Sequence, residues 1–478
     1  MKSTYLLCAL SIALASPSFA SDTEQLTRLS DQTSLAVTIY NDNIALVKDQ
    51  RTLTLDHGLN HLAFRGVSAK IRPETAILRS LDSSISLQVL EQNFDYDLLT
   101  PQKLLEKYTG KQVQISRTHP VTGERSVDTV TVLSTNNGIV IKMKDQILIN
   151  PVGEYIFNNV PDNLRDQPTL VTQLTSSSQQ QQTIELGYLT GGLSWKSDYV
   201  AELSNDDSHL DLTGWVTLTN QSGTAFNNAQ LQLVAGDVNQ VQPQTRNRSR
   251  YEAERMMKMQ SDAPLAEENL FEYHLYSLAR PTNLANNQTK QVALLSATSV
   301  PVTKQFILQG NPYYYSSRYT QLGEKIKVGV FVEFENSEQS HLGIPIPKGI
   351  IRVYKNDSKG NAQFVGEDRI AHSPKNETIQ LKLGDAFDIS ANKKQTDFKT
   401  VRHSRPYNSA HESGYEIELN NAKSEAITVT VREPIPGDWE IISQSHPHTK
   451  VTAGMAEWNI TIPAESSHTL RYQVLVQY

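Results

Sequence analysis

The fold is decided by residues 183–236, which read TIELGYLTGGLSWKSDYVAELSNDDSHLDLTGWVTLTNQSGTAFNNAQLQLVAG. Within residues 210–218, apolar residues and a glycine alternate with Asp211, Thr213, Trp215 and Thr217. Because successive side chains of a strand point to opposite faces, this period of two predicts half-buried strands. Polar turn clusters at residues 204–208 and 220–223 separate these strands. We therefore predict four strands in a row, in an antiparallel sheet that a second sheet must cover.

One aromatic residue of this stretch has an ambiguous position. Trp215 lies in mid-strand beside Gly214, which has no side chain and leaves room for a large ring nearby. This arrangement predicts that Trp215 packs between sheets, where its replacement by alanine would cost on the order of 3–5 kcal/mol. The polar neighbours on its own face, Asp211 and the threonines, favour the alternative, a surface position.

Several short motifs of the chain are similar to those of an uncharacterised bacterial family. The motifs are Gly187-Tyr188-Leu189-Thr190-Gly191-Gly192-Leu193-Ser194-Trp195, Asp198-Tyr199-Val200, Gly214-Trp215 and Leu233-Val234-Ala235-Gly236-Asp237, with Asn93-Phe94-Asp95-Tyr96-Asp97 and Pro161-Asp162-Asn163-Leu164 before them. They resemble the domain of unknown function at the C-terminal end of mucoidy-inhibitor-A-like proteins. The chain lacks the long coiled-coil segment that precedes the domain in those proteins, and the resemblance implies no catalytic residues.

The first twenty residues have the pattern of a secretory signal peptide. Lys2 precedes an apolar core at residues 5–15, Pro17 ends it, and Ser18-Phe19-Ala20 places small residues at the cleavage-specifying positions. We expect cleavage after Ala20 and a periplasmic or secreted protein. A lipoprotein anchored at Cys8 is disfavoured because Cys8 lies inside the apolar core. No later apolar run approaches the ~20 residues that a membrane helix needs.

Composition excludes several classes of chemistry. Cys8 is the only cysteine, so the mature chain would have no disulfide, no thiolate nucleophile and no Cys-ligated metal. The formal net charge of −7 argues against nucleic acid as a partner. The length of 478 residues suggests about three domains that are stabilised by their cores alone.

Changes of pattern along the chain predict a mainly β protein with antiparallel β-sandwich domains. A capped helix start at Thr100-Pro101, followed by about five short strands, predicts a small SH3-like or Sm-like barrel. Sm-like barrels can bind RNA, but export and mild acidity favour a structural insert. Strands with regular turns after residue 324 predict an immunoglobulin-like sandwich.

The predicted parts of the chain are a signal peptide (1–20), an N-terminal β layer (21–97), the helix-plus-barrel insert (98–160), a central β-sheet domain (161–323) with a mobile loop (237–268), and the C-terminal immunoglobulin-like sandwich (324–478).

Known catalytic motifs are present only in fragments. The run from His411 begins like a zinc-protease helix, but Tyr415 stands where the second histidine is needed. The run from Gly192 starts like a nucleophile elbow around Ser194, but Lys196 replaces its closing glycine. Ser390 to Lys393 matches Ser-x-x-Lys without its companion motifs. We therefore assign no catalytic residue, no cofactor and no metal ligand.

A pair of histidines, a cluster of tyrosines and a cluster of methionines are the remaining candidates for binding. The two histidines of His446-Pro447-His448 could share a face and hold zinc or copper, yet a solvated turn is the favoured interpretation. For the tyrosines and the methionines, which offer adaptable apolar area, one hypothesis is a surface that contacts a partner. The alternative for the tyrosines is ordinary core packing, and the alternative for the methionines is a mobile insertion. These residues are Tyr313, Tyr314, Tyr315, Tyr319, Met256, Met257 and Met259.

Taken together, these patterns predict an exported cell-envelope β protein that acts through binding or scaffolding surfaces and not through catalysis. Its partner would be another envelope protein or a polysaccharide. An envelope hydrolase whose site is assembled only in the fold is the second hypothesis. A third is an outer-membrane β-barrel, suggested by the alternation of Leu470, Tyr472, Val474, Val476 and Tyr478 at the C-terminus.

Overall fold

The structure is a computed structural model that describes residues 24–41, 43–161, 164–236, 238–239, 265–270, 273–319, 322–402 and 407–478. The chain divides into two compact units. The first comprises Met1–Ala36, Leu46–Gly191 and Ser222–Phe226, and the second comprises Val37–Ala45, Gly192–Gln221 and Asn227–Tyr478. The described part of the chain is mainly β, which confirms the predicted fold class.

The strands up to residue 190 are β1 Gln25–Thr27, β2 Gln32–Tyr40, β3 Ala45–Thr54, β4 Gly58–Arg65, β5 Ile77–Ser80, β6 Leu87–Asp95, β7 Gln112–Thr118, β8 Arg125–Ser134, β9 Val140–Met143, β10 Gln146–Ile149, β11 Glu154–Ile156, β12 Thr169–Ser176 and β13 Gln181–Thr190. The later strands are β14 Leu193–Leu203, β15 His209–Asn220, β16 Phe226–Ala235, β17 Leu265–Leu270, β18 Tyr273–Leu278, β19 Thr282–Leu284, β20 Gln288–Pro301, β21 Thr303–Gln309, β22 Gly323–Glu335, β23 Gly349–Asn356, β24 Ala362–Ile370, β25 Thr378–Thr400, β26 Ala410–Asn421, β27 Ile427–Pro434, β28 Asp438–Gln444, β29 Thr449–Thr452, β30 Met455–Ile462 and β31 Ser466–Gln477. The helical segments are the α-helix α1 Pro101–Lys107 and the 3₁₀ turns Leu29–Asp31, Pro73–Thr75, Pro312–Tyr315 and Glu338–Ser340.

The first unit contains a four-stranded sheet in the order β1-β4-β12-β6. β12 pairs antiparallel with both β4 and β6, whereas β1 runs parallel to β4. The guanidinium of Arg51 is fully buried beside this sheet, and it binds the carboxylate of Asp49 and the hydroxyl of Thr27 at 2.7 and 2.8 Å. These charge-assisted bonds compensate the loss of water around a buried cation.

The insert of the first unit is a helix followed by five strands, as predicted. Thr100 caps α1 by accepting a hydrogen bond from the Lys103 N–H, and Pro101 occupies the first turn. The strands pair in the order β10-β9-β8-β7-β11 around a small core that includes Ile115 and Ile141. Pairing stops at β10 and β11, so the described strands form an open sheet and not the predicted barrel. The edge strands β10 and β11 have only four and three residues, so they offer few backbone groups for the pairing that would close a barrel.

The four strands predicted within residues 183–236 are present as β13, β14, β15 and β16. The prediction that they form one antiparallel sheet is wrong, because β13 and β16 find their partners outside the sheet of β14 and β15. β14 and β15 form an antiparallel hairpin from Leu193 opposite Asn220 to Leu203 opposite Leu210. They belong to a five-stranded sheet of the second unit, in the order β20-β15-β14-β23-β24, in which β23 runs parallel to β14. β13 pairs with β5, and β16 pairs with β18.

The C-terminal strands form one nine-stranded sheet in the order β28-β31-β26-β25-β22-β21-β27-β30-β29. Its two ends meet, because Trp458 of β30 stacks on Tyr472 of β31 with ring centroids 4.7 Å apart. The sandwich is therefore made by a single sheet that folds over its own apolar face. Strand pairing also crosses residue 324, where the C-terminal sandwich was predicted to begin. Strand β21, before this residue, joins the nine-stranded sheet, whereas β23 and β24, after it, join the sheet of β14.

The prediction that Trp215 packs between sheets is wrong. The side chain is 39% exposed, on the face that carries Asp211 and Thr213. The space beside Gly214 is filled instead by Tyr199 and Leu295, which would lie 3.0 and 2.9 Å from an added Cβ atom. Gly214 faces the core and Trp215 faces outward, since neighbouring residues of a strand point in opposite directions.

Replacing Gly214 by alanine is expected to destabilise the second unit by about 1–3 kcal/mol, because the added methyl group would overpack the contact between Tyr199 and Leu295. The measurement is the chemical-denaturation midpoint followed by tryptophan fluorescence. Gly454→Ala is the matched control, because its nearest neighbour would lie 3.6 Å away, an ordinary contact. Equal midpoints for the two variants would contradict the close packing at Gly214.

Several predictions lie outside the described residues. These include the signal peptide, Met256, Met257 and Met259, and most of the loop predicted at residues 237–268. The last four residues of that loop, 265–268, belong to strand β17. Among the described residues, no helix is both long and apolar enough to cross a membrane.

Candidate functional site

A cleft of about 210 Å³ lies within the second unit, between the five-stranded and the nine-stranded sheet. Its walls are apolar and come from both sheets, and four charged side chains reach it. The lining residues are Leu203, Asp207, Lys304, Val330, Val332, Lys355, Val365, Leu383, Gly384 and Asp385. An apolar cleft with a few convergent polar groups is the usual form of a small-molecule binding site.

The turn between β14 and β15 positions the central carboxylate of this cleft. Asp207 has a left-handed backbone conformation with φ of 59°, and its N–H donates to the Ser204 carbonyl at 3.1 Å. The Asp207 carboxylate accepts hydrogen bonds from the ammonium groups of Lys304, at 2.8 Å, and of Lys355. One carboxylate thus lies between two lysines, which leaves this group of three with a net positive charge.

The electrostatics keep this carboxylate ionised. Burial alone would raise the pKa of Asp207, but the hydrogen bonds and charges of Lys304 and Lys355 outweigh it and hold that pKa below its ordinary value. The fourth charged group, Asp385, lies 3.4 Å from Lys382 and 3.9 Å from Lys327. The charged side chains that line the cleft are thus two lysines and two aspartates, and both cleft ammonium groups bind Asp207.

A second cluster of charged and aromatic groups is fully buried inside the nine-stranded sheet. The ammonium of Lys393 on β25 lies 2.6 Å from the carboxylate of Glu433 on β27, and the two side chains are 2% and 0% exposed. The hydroxyl of Tyr315 donates to the other Glu433 oxygen at 2.7 Å. Tyr472 lies 2.9 Å from that hydroxyl. Because the hydroxyl hydrogen of Tyr315 is engaged in the bond to Glu433, the Tyr472 hydroxyl is the donor to the Tyr315 oxygen.

The buried cluster has the charge states of a structural ion pair. Burial lowers the pKa of Lys393, and the Glu433 charge opposes this shift. Burial and the Glu433 charge raise the pKa values of Tyr315 and Tyr472 well above their ordinary value, so both phenols stay neutral. Lys393 also faces the Tyr314 ring at 4.3 Å, a favourable cation–π distance.

The predicted tyrosine cluster is divided by a 3₁₀ turn, Pro312–Tyr315, which Asn311 caps. Tyr315 is 0% and Tyr314 is 9% exposed, so both belong to the core, as in the alternative interpretation. Tyr313 is 50% exposed and packs edge-on against the half-buried Tyr319, with ring centroids 5.6 Å apart. Partner contact by these two outer rings stays a prediction.

The partial catalytic motifs do not form sites in the structure. Ser390 and Lys393 lie on strand β25, where a separation of three residues puts them on opposite faces. His411 and Tyr415 lie on strand β26 and not on the helix that a zinc protease needs. Ser194 lies inside strand β14, away from the strand-to-helix turn of a nucleophile elbow.

The two histidines at positions 446 and 448 are separated by the fold. His448 lies between the rings of Trp439 and Trp458, with centroids 5.8 Å from each. His446 instead meets His468 of β31, with their Nε2 atoms 3.0 Å apart. No group of three or more His, Cys, Asp or Glu side chains within the described residues is placed to hold a metal ion.

The charged groups of these sites were not predicted, although one signal was available. Glu433 continues the buried face of Val429 and Val431, and Lys393 continues that of Ile389 and Ala391. A charged residue at a position where the alternation demands an apolar one indicates a buried partner. No such signal marks the cleft, because Asp207, Lys304 and Lys355 occupy ordinary turn and strand positions.

A family model described as a domain of unknown function, DUF4139, matches residues 184–478. The chain belongs to this family. No curated protein matches the chain. The DUF4139 match begins inside β13 and contains the cleft, the buried ion pair and the histidine pair. These sites therefore lie within the family's domain, whereas the helix-plus-strand insert lies before it.

Proposed function

We propose that this DUF4139 protein is exported to the bacterial cell envelope and acts there by binding, not by catalysis. The signal-peptide pattern and the absence of cysteine after residue 8 support export. We also propose that the chain is related to mucoidy-inhibitor-A-like proteins, on the basis of the motifs from Gly187 to Asp237. Another envelope protein or a polysaccharide is the proposed source of the ligand.

The observation that carries the binding role is the position of Asp207 between Lys304 and Lys355 on an apolar wall. The ammonium groups of Lys304 and Lys355 are charged donors that suit an anion, and Val330, Val332 and Val365 offer apolar contact to the rest of the ligand. The chemistry thus fits a small carboxylate with a short apolar portion. Such a group is found in acidic sugars and in peptide side chains or C-termini.

The second candidate function, an envelope hydrolase, is favoured by the presence of two carboxylates, Asp207 and Asp385, in one cleft. A hydrolytic pair needs one carboxyl group whose pKa is raised so that it can donate a proton. The two lysines lower the pKa of Asp207 and occupy its oxygens. The charge arrangement therefore supports binding better than acid–base catalysis.

We expect butanoate and benzoate to bind the full chain, and the uncharged butanol and benzyl alcohol to bind much more weakly, because the cleft lysines recognise the negative charge. Binding is measured by ligand-observed NMR. Lys304→Gln/Lys355→Gln should lower the affinity at least tenfold. Lys196→Gln is the control, since Lys196 is a lysine of the same unit that is 65% exposed. Equal binding of acids and alcohols, or binding unchanged in the double variant, would rule out this cleft as the anion site.

The export proposal is tested separately. The chain recovered from the envelope fraction should have an intact mass that begins at Ser21. A mature chain that begins at a lipidated Cys8, or a full-length chain in the cytoplasm, would refute this part of the proposal.

A further inference from the structure

The pair formed by His446 and His468 is distinct from the cleft, whose lining includes neither residue. His446 follows β28, and His468 lies near the start of β31. The two Nε2 atoms are 3.0 Å apart, and the ring planes meet at 73°. The two ring nitrogens therefore lie within hydrogen-bonding distance of each other, with the ring planes steeply inclined.

Hydrogen bonds of Ser445 hold the His446 imidazole in place. The Ser445 hydroxyl oxygen accepts a hydrogen bond from the Arg471 N–H at 2.9 Å, and the Ser445 N–H donates to the Arg471 carbonyl at 2.8 Å. The same hydroxyl lies 2.9 Å from Nδ1 of His446, so its second lone pair can accept the Nδ1–H. With the proton on Nδ1, the lone pair of His446 is on Nε2, the nitrogen that faces His468. In metal sites a hydrogen-bond partner of the ligand histidine fixes its tautomer in the same way.

We propose that His446 and His468 form a two-histidine site for a divalent transition ion such as zinc. With Zn–N bonds of about 2.1 Å, the separation of 3.0 Å corresponds to an N–Zn–N angle of about 90°. Opening the pair by roughly 0.4 Å would give the tetrahedral angle. Two protein nitrogens leave the remaining coordination positions to water or to a group from a ligand. Imidazole suits zinc and copper and not the oxygen-seeking calcium or magnesium.

This assignment differs from the pairing that the sequence suggests. In the structure His448 points its Nδ1 at the Gln444 side chain, 2.9 Å away, and packs between two tryptophans. The second ligand is His468, twenty-two residues beyond His446, because β28 and β31 are paired neighbours in the sheet.

The experiment is a calorimetric titration of the metal-stripped full chain with Zn²⁺ in the presence of a weak competing chelator. We expect a saturable site with one zinc per chain. His446→Gln and His468→Gln should each weaken it at least tenfold, and Ser445→Ala should weaken it less. His448→Gln, two residues away, and His119→Gln, in the exposed turn after β7 of the first unit, should leave it unchanged.

A second readout separates metal binding from folding. Zinc should raise the melting temperature of the wild-type chain and of His448→Gln, but not that of His446→Gln or His468→Gln, whose metal-free melting temperatures should match the wild type. The proposal fails if no saturable zinc binding occurs, or if either His446 or His468 can be replaced without loss. It also fails if His448→Gln weakens binding as strongly, since His446 and His448 would then be the ligands. None of these outcomes depends on anion binding in the cleft.

Discussion

Glu433→Ala is expected to destabilise the second unit by about 3–5 kcal/mol, because it leaves the ammonium of Lys393 buried without its counter-charge. The same change removes the acceptor of the Tyr315 hydroxyl. The measurement is the free energy of unfolding from chemical denaturation, followed by tryptophan fluorescence. All four tryptophans, at positions 195, 215, 439 and 458, lie in the second unit, so this signal reports that unit alone.

Glu154→Ala is the matched control, since its ion pair with Arg125 is exposed on both sides, at 78% and 60%. It should cost less than about 1 kcal/mol, and its effect on the first unit is followed by circular dichroism. The double variant Lys393→Met/Glu433→Leu should recover much of the loss, because it removes both charges together. A Glu433→Ala chain whose denaturation midpoint equals the wild-type value would show that the pair is not buried.

Trp458→Ala is expected to cost about 3–5 kcal/mol, because the ring is fully buried in the core of the nine-stranded sheet. Its indole N–H donates to the Gln444 side chain at 3.2 Å, and its ring stacks on Tyr472. The substitution would leave a cavity at the point where the two ends of the sheet meet. The measurement is again the denaturation midpoint of the second unit.

Trp215→Ala serves as the comparison, because Trp215 is 39% exposed and should lose about 1 kcal/mol or less. This is the reverse of the expectation from sequence, which put Trp215 between sheets. If the two variants lost equal stability, the burial of Trp458 or the exposure of Trp215 would be incorrect.

Local alternation was sufficient to predict many of the strands and the buried side of several of them, although β12 was not expected. β14 and β15, the capped start of α1 and the buried face of Leu470, Tyr472, Val474 and Val476 were all expected from neighbours within a few residues. Strand pleating makes this information local, since every second side chain meets the same environment. Trp215 was misplaced because room beside a glycine does not determine which side chain fills it.

The pairing of distant strands was decided only by the tertiary structure. Lys393 meets Glu433, Asp207 meets Lys304 and Lys355, and His446 meets His468 because sheets bring together strands that are far apart in the chain. No periodic pattern encodes such partners, since many sheet orders are compatible with the same alternation. The alternation of the sequence therefore determined the β class of this protein. The long-range closure of its sheets determined where its charges and imidazoles converge.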